Sequence, residues 1–147
     1  MIELRSAEET EALGARLGAT LRPGDVVALF GDLGAGKTTL ARGILRGLGF
    51  TGEVASPTFP IVIAYDPPDV RLPLWHVDLY RIEDSSEIEE LALDEAEAGA
   101  LVIEWPERLG AALPPSALRL RIATTAAGDR ALTAEGPPAW GERWPPR

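Results

Sequence analysis

The run Gly31-Asp32-Leu33-Gly34-Ala35-Gly36-Lys37-Thr38 has the spacing G-x-x-x-x-G-K-[ST], and no other feature constrains the fold as much. Of the 14 Lys and Arg residues in the chain, Lys37 is the only lysine. A loop that encloses phosphates wants a compact, flexible ammonium at that point rather than a planar guanidinium fork. The flanking residues agree with this reading. Asp25 to Phe30 is a short apolar run of buried-strand type, announced by Pro23-Gly24. Thr38 to Leu48 carries Leu40, Ile44 and Leu48 on one helical face and stops at Gly49. Strand, glycine-rich loop and helix thus follow in the order that turns backbone N–H groups and a helix N-terminus toward phosphate oxygens. The chain is expected to bind a nucleoside triphosphate, with Lys37 meeting the β- and γ-phosphates and the Thr38 hydroxyl ligating Mg2+.

Composition narrows the partners. A formal charge of −9 argues against the chain alone being a main docking surface for RNA or DNA, which relies on clustered basic residues. The absence of cysteine excludes disulfides and thiolate metal sites and suits a reducing cytoplasm. No apolar run reaches the ~18 residues of a membrane span, and the N-terminus lacks a signal-peptide layout. A cytoplasmic location with no membrane partner is therefore expected. Guanine-specific P-loop proteins read their base with an Asn-Lys-x-Asp segment, and with Lys37 already used no lysine is left to supply one. ATP is the expected nucleotide.

The chain alternates helical and strand patterns, which predicts a single-domain α/β fold of the P-loop NTPase kind. Ser6 and Glu9 fit a capping box ahead of Leu13, Leu17 and Leu21, so residues 7–21 read as the first helix. Ile61 to Tyr65 and Leu72 to Leu79 read as two strands joined by the turn Asp66-Pro67-Pro68-Asp69. An acidic helix is expected over about Glu87 to Ala98, and a buried strand over Ala100 to Ile103 that ends at Glu104. Ala117 to Ala123 and Arg130 to Ala134 read as a hairpin around Gly128-Asp129. Residues 1–135 form the expected ATPase domain. Residues 136–147, rich in proline and tryptophan, read as an irregular tail to which no role is assigned.

Moving a phosphoryl group needs a carboxylate near Mg2+ and a group that orients or deprotonates the attacker. Asp78 and Glu104 both stand at the ends of apolar strands, where open α/β sheets bind ligands. His76, the only histidine, shares a strand face with Asp78. It reads as a hydrogen-bonded structural group in preference to a general base. Ser56-Pro57-Thr58-Phe59 is either a plain Ser-Pro turn or a switch that orders when triphosphate binds, and the residues alone do not separate the two.

Taken together, Gly31 to Thr39, Ser56-Pro57-Thr58-Phe59, His76-Val77-Asp78-Leu79-Tyr80-Arg81 and Glu104-Trp105-Pro106-Glu107 resemble the TsaE family, also called YjeE. Order and intervals agree from residue 6 to about residue 110. The resemblance implies a P-loop ATPase with a central sheet of mixed strand direction flanked by helices. It implies a role in forming threonylcarbamoyladenosine in tRNA beside TsaD and TsaB, which carry out the transfer, while the TsaE-like member hydrolyses ATP to support repeated turnover. Contact with tRNA would be indirect, through that complex. Carried over residue by residue, Gly34, Ala35, Gly36, Lys37, Thr38 and Thr39 would wrap the phosphates, and Thr38 and Glu104 would hold Mg2+. Asp78 would act as base or position water, and Thr58 would occupy the switch-like loop. Trp105 would sit near the site, and Thr10 and Arg130 would approach the adenine. The rival reading is a small-molecule kinase with Asp78 as base toward a substrate hydroxyl. Residues 82–99 offer it acids, apolar residues and two serines but no arginine, where an arginine-bearing lid would be needed.

Overall fold

The computed structural model describes residues 2–32, 36–54, 62–80, 98–141 and 143–146. Strands β1 (Ile2–Leu4), β2 (Val26–Phe30), β3 (Val62–Tyr65), β4 (Leu74–Asp78), β5 (Ala100–Glu104), β6 (Leu118–Thr124) and β7 (Arg130–Glu135) form one sheet. Its order is β1-β7-β6-β2-β5-β4-β3. β4, β5, β2 and β6 run parallel at the centre, while β3 and β7 pair antiparallel to their neighbours and β1 antiparallel to β7. Helices α1 (Ala7–Thr20) and α2 (Lys37–Gly47) pack on one face. An irregular 3-10 segment, Pro106–Ala112, lies against the other. The expected mixed sheet flanked by helices is the fold observed.

Local chemistry accounts for most of these elements. At the start of α1 the Ser6 hydroxyl accepts from the Glu9 N–H at 3.1 Å, and the Glu9 carboxylate accepts from the Arg5 N–H at 2.6 Å. The reciprocal capping holds, with the second bond reaching one residue further back than the usual box. The Leu stripe of α1 is buried, and the carbonyls of Gly18 in its last turn and of its C-cap Leu21 accept from the Arg71 guanidinium at 3.0 and 3.2 Å. The β3–β4 turn closes through Asp69 N–H to Asp66 O at 3.1 Å. β4 begins at Leu74 rather than at the expected Leu72, because Arg71 N–H is bonded to Leu48 O at the end of α2 and not to a strand. The expected acidic helix falls on residues outside the described ones, apart from Ala98.

α1 and α2 touch backbone to backbone. A Cβ on Gly14 or Gly18 would lie 2.4 or 2.2 Å from the carbonyl oxygens of Leu40 and Ile44, and one on Gly43 or Gly47 would lie 2.1 Å from those of Glu11 and Ala15. Each helix thus offers two glycines, four residues apart, to the ridge of the other. The C-terminal segment docks at the opposite end of the sheet from the C-terminal strand ends. Trp140 is buried in the core and donates its indole N–H to Ser116 O at 2.9 Å. Arg143 grips both oxygens of Asp25 at 2.6 and 3.1 Å and stacks on Trp140.

Candidate nucleotide site

β2 ends at Phe30, and the chain passes through Gly31 and Asp32 into the glycine-rich loop, whose Leu33, Gly34 and Ala35 lie outside the described residues. Gly36 is the N-cap of α2 with φ 109°, a left-handed conformation that a side chain would strain. α2 starts with Lys37 and carries no acid in its first turn, so its positive dipole end faces the loop undiluted.

Lys37 is only 5 % exposed, yet among the described residues its ammonium has no hydrogen-bond partner. It lies 3.6 Å from the centre of the Trp105 ring, a cation–π contact. Burial lowers its pKa below the usual lysine value, and the carboxylates of Glu104, Glu107, Asp78 and Asp32 oppose that shift. A buried, charged donor without an acceptor is costly by itself and suits a polyanionic ligand.

Two carboxylates act on this ammonium through space. β4 and β5 are in parallel register with Asp78 opposite Glu104, at the strand ends next to the loop. Asp78 is 6 % and Glu104 4 % exposed. Asp78 accepts from the Tyr80 N–H at 2.9 Å. Burial raises its pKa and Glu104 adds to the rise, while the Tyr80 bond, Lys37 and His76 pull it down. A carboxyl of raised pKa beside a phosphate loop is a stronger proton acceptor than an exposed one. His76, fully buried, has Nε2 2.7 Å from Glu104 Oε2. The reading of this histidine as a hydrogen-bonded structural group holds, but its partner is the expected metal acid. The shared strand face of His76 and Asp78 was the only hint in the sequence.

The donor set fits Mg2+. Two carboxylates on adjacent strand ends and the Thr38 hydroxyl in the first turn of α2 are hard oxygen donors. Among the described residues no group of three or more His, Cys, Asp or Glu forms a self-sufficient metal cage.

Trp105 has φ 58° and ψ 49°, the only non-glycine residue of positive φ among those described. The following Pro106 disfavours the right-handed helical region for it. The turn carries the indole under Lys37, and Tyr80 packs on the same ring with centroids 4.9 Å apart. No spacing in the sequence announces that turn. A pocket of about 240 Å³ is walled by Ser6, Thr10, Gly36, Thr39, Gly128 and Arg130, among others. The expected adenine-side residues Thr10 and Arg130 therefore meet in one cavity, with Thr39 of α2. Gly128, expected in the sequence at a hairpin turn, also lines this cavity. Thr58 and the rest of Ser56 to Phe59 lie outside the described residues.

The model of a family described as "Threonylcarbamoyl adenosine biosynthesis protein TsaE" matches residues 4–132. The chain belongs to the TsaE family. A Bacillus subtilis relative described as tRNA threonylcarbamoyladenosine biosynthesis protein TsaE is 47% identical over 124 residues, covering 83% of this chain and 75% of the relative. A Streptomyces coelicolor relative of the same description is 45% identical over 139 residues, covering 90% and 91%. The crystal structure of Bacillus subtilis YdiB superposes with a TM-score of 0.81 at 33% identity, covering 96% of this chain and 88% of that one. The TsaE match spans the loop, both strand-end acids, Trp105 and the pocket residues Thr10 and Arg130. No helix among the described residues is long and apolar enough to cross a membrane.

Proposed function

We propose that this TsaE-family chain is a cytoplasmic, Mg2+-dependent ATPase that serves formation of N6-threonylcarbamoyladenosine in tRNA. It acts with TsaD and TsaB and supports their repeated turnover, meeting tRNA only through that complex. The observation that carries the ATPase reading is the convergence of a buried, unpartnered Lys37 ammonium with Asp78 and Glu104 at the mouth of a phosphate loop. The pathway and partners rest on the family and on the names its relatives bear.

The residues divide the work. Gly34, Ala35, Gly36, Thr38 and Thr39 cradle the phosphates, and Lys37 leaves the Trp105 ring to neutralise the β- and γ-oxygens. Thr10, Arg130 and the pocket between α1 and the β6–β7 turn take the base side. Thr38 and Glu104 hold Mg2+, which supplies charge neutralisation at the phosphate oxygens when bound. Asp78 orients the attacking water and accepts its proton as the bond from water to the γ-phosphorus forms and the bridging bond to the β-phosphate breaks. Thr58 serves as the switch residue that answers the γ-phosphate. Every residue in this division of labour lies within 1–135.

Calorimetry with Mg2+–ATP tests the site. Lys37→Ala is expected to weaken binding by at least about tenfold, the worth of one charged hydrogen bond; unchanged affinity would refute it. Phosphate release by the wild-type chain without any acceptor separates an ATPase from a small-molecule kinase. Multiple-turnover modification of tRNA by TsaD and TsaB, with and without this chain, tests the pathway.

A further inference from the structure

We infer that His76 is a positioning residue that aims the Glu104 carboxylate at the divalent cation; the inference rests on the Mg2+–ATP reading above. Glu104 ends β5 on a long, three-torsion side chain, which unrestrained would sample several rotamers. The shorter Asp78 is already held through Oδ1 by the Tyr80 N–H. Glu104 is held through Oε2 by His76 Nε2 at 2.7 Å. Among the described residues each carboxylate therefore uses one oxygen on a protein donor and keeps the other for the site.

Geometry assigns the proton. An ionised Glu104 is acceptor only, so Nε2 carries the hydrogen and donates it. Nδ1 is buried without a partner among the described residues. His76 cannot itself reach ligand, because it is fully buried and its Nε2 is engaged. A ring that merely filled space would have no need of a donor at that atom. Groups that orient a metal-binding side chain typically contribute about 10–100-fold in metal affinity.

The test measures Mn2+ affinity by electron paramagnetic resonance on the full chain saturated with a non-hydrolysable ATP analogue. His76→Gln keeps an amide N–H near the Nε2 position, whereas His76→Asn places it near Nδ1. We expect the Asn variant to lose about 10–100-fold in Mn2+ affinity and the Gln variant to stay close to wild type. Affinity for the analogue in EDTA should be unchanged in both. Because His76 is the only histidine, 15N-histidine NMR of the wild-type chain reads a single ring and needs no folded variant. Nε2 should be the protonated nitrogen, and its resonance should move when Mg2+ joins the analogue complex but not in Glu104→Gln. Wild-type Mn2+ affinity in His76→Asn, or an Nε2 resonance blind to Mg2+, overturns the role of His76 provided Glu104→Gln weakens Mn2+. If Glu104→Gln also binds Mn2+ normally, the cation reading of the site falls first and this inference with it.

Discussion

Asp78 carries a conflict between stability and chemistry that can be measured. Its carboxylate is enclosed, and burial together with Glu104 raises its pKa against the opposing pull of the Tyr80 N–H, Lys37 and His76. A folded-state pKa above the unfolded one means that folding favours the protonated acid. That contribution is fully present below the ordinary value of 3.8 and is lost as pH rises through the folded-state value. At neutral pH the ionised side chain therefore destabilises the fold. Asp78→Asn keeps an oxygen for the Tyr80 N–H and removes the charge. It should melt higher than wild type at pH 7, by a few degrees for a gain on the order of 1 kcal/mol. The advantage should vanish below pH 3.8. The same variant should lose on the order of 10²-fold or more in phosphate release. Thermal melts across pH alongside a phosphate assay decide it: a lower melting temperature at pH 7 with activity retained would contradict both halves.

Between elements, the α1–α2 contact has the clearest consequence for the site. Thr10 on α1 and Thr39 on α2 line the same pocket, so the distance between the helices sets the width of that pocket. The distance is short because glycines meet carbonyls. A Cβ at Gly43 would sit 2.1 Å from Glu11 O, and neither helix backbone can yield without moving as a whole. Gly43→Ala should destabilise by about 1–3 kcal/mol through overpacking, and the variant that remains folded should bind ATP more weakly. Urea titration and calorimetry measure the two effects; unchanged stability would show that the helices separate freely. These glycines were the hardest part of the element plan to read in advance. Gly14, Gly18, Gly43 and Gly47 lower helix propensity, and their purpose appears only when the partner helix is in place. The Ser6–Glu9 cap, β2, α2 and the β6–β7 hairpin were legible because their determinants lie within a few residues of one another. β1 was not, since a three-residue strand at Ile2–Leu4 is specified by its pairing with β7 more than 120 positions away. Within the site, Lys37, Asp78 and Glu104 declared themselves by spacing and strand-end position. The His76–Glu104 bond and the left-handed Trp105 turn depend on contacts between separate strands and segments.

At the scale of the molecule, the two ends of the parallel strands serve different purposes. Their C-terminal ends gather Lys37, Asp78, Glu104 and Trp105, where burial of charge works against stability. The start of β2 is instead where the C-terminal segment anchors. Arg143 holds Asp25 with both terminal guanidinium nitrogens, bonds Thr20 O at 3.3 Å and lies 4.0 Å from the Trp140 ring, which is itself core. β2 is five residues long, so at ~3.3 Å per residue this clamp sits one strand length from the phosphate loop. Its effect should therefore be on stability alone. Trp140→Ala should cost about 3–5 kcal/mol by emptying a core position. Arg143→Ala should cost less, on the order of 2 kcal/mol, because the pair it breaks is partly open to water and Asp25 keeps the Arg22 N–H at 2.8 Å. Below their melting transitions both variants should bind Mg2+–ATP with wild-type affinity. Denaturant unfolding paired with calorimetry tests this separation of roles, and a folded Arg143→Ala chain with impaired nucleotide binding would show that the clamp and the loop communicate through β2.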